Sequence, residues 1–303
     1  MRAASIISVT ILLVTSGMAA HASAEGSVRI LLIAGETAKV DTVGHHDYLA
    51  GCECLRVLLE QTDDVEAVRV NDGWPQDESV FDGVRSVVFY TDGGGKQAFL
   101  SSPERIAKVQ ALVDAGVGIV MIHQAVDYPD EFIDRAKSWL GGVYQTGKSG
   151  RGHWDSEHAD FPEHPVTRGV TSWEINDGWL NGIQFVSDMK GIVPLVWSGK
   201  EYVASREGLD HHIVCWTYDR PDGGRSFSFT GLDAHSAWER TGMRQLVLNG
   251  VLWSAGVDIP RAGASSKLDQ SQLEAMLTPR TPKPKKAAKT SVEKQAVPAS
   301  GEK

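Results

Sequence analysis

The sequence predicts an α/β fold with a doubly wound, mostly parallel sheet. Short apolar runs alternate along the chain with segments whose apolar residues recur at helical spacing. The runs are apolar throughout, which indicates strands covered on both faces, as the strands of parallel sheets are. With 303 residues, of which 42% are hydrophobic, the chain is long enough for one large domain or two modest ones.

The predicted elements of the first half follow one another as strand, helix and strand. The run "VRILLIAG" begins the sheet, and a Ser-Pro-Glu start and a final glycine bound the second helix. Strand signals cover residues 28–35, 65–70, 83–95 with its closing glycines, and 117–125, and helix signals cover residues 48–62 and 102–116.

The alternation breaks after residue 126. Residues 127–182 are rich in turn residues and aromatics, and we expect a long irregular insertion over the sheet edge or its carboxyl ends. Strand signals return in three segments whose spacing fits a meander joining the same sheet, and residues 244–256 form the closing helix. The three segments are "GIVPLVWSG", "DHHIVCWTYD" and "GRSFSFTG".

Both ends of the chain differ from this folded body. Residues 1–24 combine Arg2, a short apolar run and the small residues Ala22-Ser23-Ala24, which predicts a signal peptide and export to the periplasm or medium. We expect no stable membrane span once it is removed, although a retained anchor is the alternative. Residues 263–303 are rich in Pro, Lys, Ala and Ser and are predicted to be a disordered basic tail, which leaves residues 25–262 as the domain.

Charge and cysteine content narrow the range of possible partners and sites further. The net charge is −9 although the tail is basic, so the body is acidic and nucleic acid is not expected as a partner. The three cysteines, Cys52, Cys54 and Cys215, lack the spacing of a zinc site. We expect buried structural thiols that are dispensable for activity.

Polar residues gather where the predicted strands end. Ligands of open parallel sheets bind outside the carboxyl ends of the strands, so these residues should converge in space. The predicted catalytic residues are His46, His123, His235 and Asp233, and the predicted ligand-binding residues are Asp92, Gly93, Gly94, Gly95, His153, Trp154 and Trp238.

The predicted site residues have defined roles and open alternatives. The three histidines His46, His123 and His235 serve as general acids and bases or hold a divalent metal such as zinc, while the amides of Gly93–Gly95 hold a developing oxyanion. His45 is expected to point away more than His46. Alternatively, Asp47 only caps the helix, Gly93–Gly95 only form a tight turn, and His123 is a histidine of the core.

Several motifs in a fixed order resemble the ThuA-like (trehalose-utilisation) family. The resemblance covers about residues 28–260 and implies a flavodoxin-like fold similar to class I glutamine amidotransferases, with a role in sugar metabolism. The motifs are "GHHDYLAGCECLRVLL", "VVFYTDGGG", "GVGIVMIHQAVDYP", "GHWDSEH", "HPVTRGV" and "GRSFSFTGLDAHSAW" with "LVLNGVLWSAG".

Two departures qualify what this resemblance implies. The strand end that carries the nucleophilic cysteine of amidotransferases carries His123 here, without a cysteine nearby, so glutaminase chemistry is not expected. Family members often read Gly-His-(Phe/Tyr)-His-x-Asn-Trp near the last strand, whereas this chain has Asp233 for the first histidine and Ala237 for the asparagine. Aspartate can also ligate a divalent metal.

Two functions remain open at this point. The first is an exported enzyme that acts on trehalose or a keto-sugar as a hydrolase, lyase or isomerase. The second is a carbohydrate-binding module without turnover, in which Trp154, Trp179 and Trp238 stack on sugar rings. No G-x-G-x-x-G motif follows a strand, so a nicotinamide cofactor is not expected.

Overall fold

The computed structural model describes residues 26–36, 43–199 and 212–279. The predicted signal peptide, residues 1–24, lies outside these ranges, as do residues 280–303 of the predicted tail. Within the described ranges, no helix combines the length and apolar character that crossing a membrane requires.

The described residues form eleven strands and five α-helices. The strands are β1 Val28–Ala34, β2 Val65–Val70, β3 Val84–Tyr90, β4 Gly118–Ile122, β5 Gly142–Val143, β6 Gly150–His158, β7 Trp173–Asn181, β8 Gln184–Phe185, β9 Ile192–Trp197, β10 Ile213–Asp219 and β11 Arg225–Phe229. The helices are α1 Tyr48–Leu59, α2 Pro103–Asp114, α3 Ile133–Leu140, α4 Thr241–Ser254 and α5 Gln270–Met276.

Seven strands build the central sheet in the order β2-β1-β3-β4-β11-β10-β9. The pairs from β2 to β11 are parallel, and β10 and β9 then continue the sheet antiparallel. The predicted α/β fold with its joined meander is therefore confirmed. Strand order reverses between β1 and β3, and this switch point is where open sheets of this kind leave a crevice for ligands.

The inner strands of the sheet are buried on both faces because helices cover them from two sides. In β1, Ile30 and Leu32 pack with α1 and α4, whereas Leu31 and Ile33 pack with α2 and α3. Their side chains are fully buried, and each such aliphatic side chain stabilises the fold by about 1.5–3 kcal/mol. The two cores fix the strand ends relative to one another.

The expected irregular insertion is more ordered than its composition suggested. β6 and β7 pair over nine residues as an antiparallel ribbon outside the central sheet. In β7, Trp173, Ile175, Asp177 and Trp179 are buried while Glu174 is exposed. Alternation with a period of two is the mark of a strand with one covered face, so the prediction of an irregular segment was wrong.

The expected start of the disordered tail at residue 263 is also wrong. Ala264 is buried and its N–H donates to Asn249, and α5 follows with Leu273 buried against α1. After α5, Thr278 donates two hydrogen bonds to Asp47, which also caps α1. The folded domain therefore extends at least to residue 279. We call residues 264–279 the C-terminal strap.

Candidate functional site

Four histidine side chains converge on the carboxylate of Asp233. On one side, Oδ1 lies 2.8 Å from His46 Nε2 and 3.2 Å from His123 Nε2. On the other side, Oδ2 lies 2.9 Å from His45 Nδ1 and 2.7 Å from His153 Nε2. The predicted convergence of His46, His123 and Asp233 is therefore present, and His153 joins them.

Backbone pairing explains why two adjacent histidines both reach this carboxylate. His45 and Ala234 form an antiparallel bridge, and the N–H of His46 donates to the Asp233 carbonyl at 2.9 Å. His46 adopts a positive φ of 47°, which turns its side chain back toward the same carboxylate. The expectation that His45 points away is wrong, because this strained turn cancels the divergence of neighbouring residues.

Asp177 of β7 holds the loop that carries Asp233. Its buried carboxylate accepts hydrogen bonds from the N–H groups of Leu232, Asp233 and Ala234 at 2.7 to 3.4 Å. The next residue, Gly178, leaves room for Asp233, because a Cβ there would lie 2.8 Å from the Asp233 Cβ. The ribbon thus provides both the anchor and the space for the central carboxylate.

His123 follows β4 directly in a strained conformation, with a φ of 57°. Such strain costs about 1–3 kcal/mol and clusters at functional sites. Its Nδ1 lies 3.0 Å from the Thr230 carbonyl, which can only accept, so Nδ1 carries the proton. The remaining nitrogen, Nε2, is buried, makes no hydrogen bond of acceptable geometry, and faces the Asp233 carboxylate. A cation or a proton between these two atoms satisfies both.

The electrostatic environment keeps Asp233 ionised. Burial alone raises the pKa of this carboxyl, but the neighbouring imidazoles of His123, His46 and His153 hold it well below its usual range. The side chain is only 5% exposed, so an anion is fixed at the centre of the cluster.

Asp92, at the end of β3, supports the cluster from behind. Its Oδ1 lies 3.7 Å from His46 Nδ1 and accepts a hydrogen bond from the Tyr48 hydroxyl at 2.5 Å. Burial and the nearby Asp92 raise the pKa of Tyr48, so the phenol stays a proton donor. A carboxylate behind an imidazole is the usual orienting partner of a metal-binding or catalytic histidine.

Three predicted roles are corrected by the structure. His235 does not join the cluster, because its Nε2 donates to the Leu273 carbonyl of α5 at 2.9 Å and it belongs to neither ligand group found among the described residues. The N–H of Gly94 donates to the Asp127 carbonyl, and that of Gly95 donates to Gln97. These two amides are therefore not available for an oxyanion.

Gly93 has a packing role, and its predicted use in holding an oxyanion stays a prediction. An added Cβ would lie 2.2 Å from the Gln124 carbonyl, so this glycine allows the loop after β3 to pack directly on the turn after β4. Its place next to Asp92 keeps that carboxylate beside the histidines.

The tryptophans do not form a sugar platform. Trp154, Trp179 and Trp238 are 9%, 1% and 0% exposed, and all three belong to the core. Their predicted role in stacking on a ligand is therefore wrong. These tryptophans were predicted to bind a ligand because they flank polar residues. In the structure, period-two burial in the ribbon and packing in the core place their rings inward.

Sequence reasoning missed Asp127, which packs against Gly93 after β3, and Arg151, which lies on the strand of His153. Burial raises the pKa of Asp127 to about 6, although Arg151 lies 3.5 Å from its Oδ2. Arg151 precedes His153 by two residues on β6 and therefore shares its face of the strand. The Asp127 carboxyl is thus suited to exchanging a proton near neutral pH.

A cavity of about 210 Å³ opens next to His45. Val43 and Leu277 give it apolar walls, and Glu239 and Glu274 contribute carboxylates. The C-terminal strap forms one side of this cavity, so its ordered position matters for whatever binds there.

The fold and the site together define an amidotransferase-like α/β protein with a histidine–aspartate centre at the carboxyl ends of its strands. Cys52, Cys54 and Cys215 are free, buried thiols, as expected. The profile of the ThuA family, described as trehalose utilisation, matches residues 30–254. The chain therefore belongs to the ThuA family.

Solved structures of similar fold agree with this assignment. A ThuA-like protein from Parabacteroides merdae ATCC 43184 superposes with a TM-score of 0.54 and 17% identity, covering 79% of this chain and 95% of that one. A ThuA-like protein from Bacteroides uniformis ATCC 8492 gives a TM-score of 0.56 and 13% identity, with coverage of 80% and 96%. A comparison with curated proteins gives no significant match.

Proposed function

We propose that this protein is an exported enzyme of carbohydrate metabolism that converts trehalose or a keto-sugar at the histidine–aspartate centre, with a divalent metal such as zinc. Export rests on the signal-like residues 1–24. The sugar substrate is supported by the family's description, trehalose utilisation.

The observation that carries this proposal is the buried Nε2 of His123 facing the ionised Asp233. His123 Nδ1 donates a hydrogen bond to the Thr230 carbonyl. A neutral His123 therefore directs the lone pair of its Nε2 at the Asp233 anion 3.2 Å away. Two electron-rich groups at this distance repel each other unless a proton or a metal cation lies between them. Imidazole nitrogen and carboxylate oxygen are the ligands that zinc prefers, so the residues fit the metal.

The groups around the centre supply what conversion of a sugar requires. A bound divalent metal acts as a Lewis acid toward a substrate oxygen. Asp127 exchanges a proton, because burial places its pKa at about 6. Asp92 and Tyr48 orient His46 from behind, and the adjacent cavity offers carboxylates to sugar hydroxyls and apolar walls to the ring. Hydrolysis, elimination and isomerisation all use this set.

The alternative, a carbohydrate-binding module without turnover, is less well supported. Sugar-binding modules expose aromatic faces, whereas Trp154, Trp179 and Trp238 are buried. A strained backbone at His46 and His123 is also unnecessary for binding alone.

The test is turnover by tag-free protein loaded with Zn²⁺ or Mn²⁺. Trehalose and its oxidised keto derivatives are incubated with the enzyme, and products are followed by NMR and mass spectrometry. We expect turnover of at least one sugar, lost by at least 100-fold in His123→Ala. The control is Glu157→Gln, an exposed position on the same ribbon.

Two results would count against the proposal. Turnover that His123→Ala retains would place the chemistry elsewhere. Saturable binding of a sugar by the wild type, without turnover and unchanged in His123→Ala, would establish the binding module instead.

A further inference from the structure

We propose that the centre holds two metal ions bridged by the Asp233 carboxylate. The inference deepens the proposed function, because it concerns the same centre. Among the described residues, exactly two groups offer three ligand atoms within 4.8 Å of one another: His46 with His123 and Asp233, and His45 with His153 and Asp233. Both groups share the same carboxylate.

The carboxylate is divided between the two groups, one oxygen to each. Nε2 of His46 and of His123 face Oδ1, whereas Nδ1 of His45 and Nε2 of His153 face Oδ2. A carboxylate that ligates one ion does not need imidazoles on both of its oxygens. The arrangement matches a bridge between two ions about 3.5–4 Å apart. We call the His46–His123 side the inner site and the His45–His153 side the outer site.

The distances leave room for metal after a small expansion. Zinc bonds of about 2.0–2.1 Å at a tetrahedral angle separate two ligand atoms by about 3.3–3.4 Å. The pair of His123 Nε2 and Oδ1, at 3.2 Å, is already close to this value. The other three nitrogen–oxygen pairs lie at 2.7 to 2.9 Å, so each opens by about half an ångström.

The two sites differ in exposure, which gives them different roles. The inner histidines are 3% and 22% exposed, and both have orienting partners, the Thr230 carbonyl and Asp92. The outer histidines, His45 and His153, are 38% and 59% exposed. The inner ion is therefore the tightly held one. The outer ion exchanges more easily and faces the side from which a substrate arrives, next to the cavity at His45.

Metal stoichiometry tests the inference without any substrate. Tag-free protein is stripped with a chelator and titrated with Zn²⁺ and with Co²⁺, and bound metal per chain is measured by mass spectrometry. We expect two equivalents for the wild type and for Glu157→Gln, and one equivalent for His153→Ala and for His123→Ala. His153 is exposed, so its loss leaves the fold intact.

A spectroscopic measurement distinguishes a bridged pair from two separate ions. With two Co²⁺ bound, magnetic coupling through Asp233 should make the electron paramagnetic resonance signal weaker than twice that of His153→Ala with one Co²⁺. Saturation of the wild type at one equivalent, or two uncoupled ions, would overturn the inference. Two coupled ions without sugar turnover would refute only the proposed enzyme activity, and turnover with one ion would refute only the pair.

Discussion

Replacing Leu273 with alanine tests whether the C-terminal strap is part of the folded domain. Leu273 is 3% exposed and packs in the core beneath α1. Truncating a buried leucine to alanine costs about 2–5 kcal/mol, and we expect about 2–3 kcal/mol here, because the side chain borders an open cavity that water already reaches. The hydrogen bond from His235 to the Leu273 carbonyl does not depend on the side chain.

The assay is thermal unfolding followed by circular dichroism. For a domain of this size, each kcal/mol shifts Tm by about 2–4 °C, so Leu273→Ala should lower it by about 4–12 °C. Glu274→Gln, an exposed change on the same helix, is the matched control and should leave Tm within about 1–2 °C. An unchanged Tm for Leu273→Ala would refute the argument, since it would mean that the strap does not stabilise the domain.

Three further predictions address the centre and its surroundings. Asp177→Asn should weaken Zn²⁺ binding by about 10–100-fold in calorimetric titrations, because an amide N–H₂ opposes N–H groups of the Asp233 loop; unchanged affinity would contradict this. His158 is buried, which lowers its pKa to about 4, so the unfolded chain binds the extra proton and stability falls by up to about 3 kcal/mol as pH drops from 6.5 to 4. Urea unfolding should show that His158→Phe removes this fall, and an equal fall in the variant would be the contrary result. Asp127→Asn should stabilise the protein above pH 6, because burial raises this pKa and ionisation then costs stability; the same unfolding series checks it.

The sequence was sufficient to predict the sheet because strands such as β1 and β4 are apolar on both faces. β2 has the predicted bounds, and β1 and α1 differ from prediction only at their ends. The ribbon was missed because turn residues and aromatics dominated its composition. The period-two spacing of Trp173, Ile175, Asp177 and Trp179 was the signal that could have revealed it.

The site was predictable where it depended on topology. Parallel strands end at one edge of the sheet, so topology alone predicted that His46, His123 and Asp233 lie close together. The prediction for His235 failed because it depended on local contacts. This residue donates a hydrogen bond to α5, a helix that the composition of the tail did not predict. His45 joins because of a backbone bridge and a positive φ at His46, neither of which has a signature in a single sequence.

The register of the β6–β7 ribbon positions two side chains with different roles, a histidine of the centre and the aspartate that anchors the Asp233 loop. His153, on one strand, lies opposite Gly178, and Trp154 lies opposite Asp177 on the other. Side chains of a strand alternate between faces, so a slip of one residue in β6 would turn the His153 imidazole outward, and a slip in β7 would carry the Asp177 carboxylate out of reach. Insertions or deletions within this hairpin should therefore act as all-or-none changes. Length polymorphism among natural variants should be confined to the connection between its strands, residues 159–172.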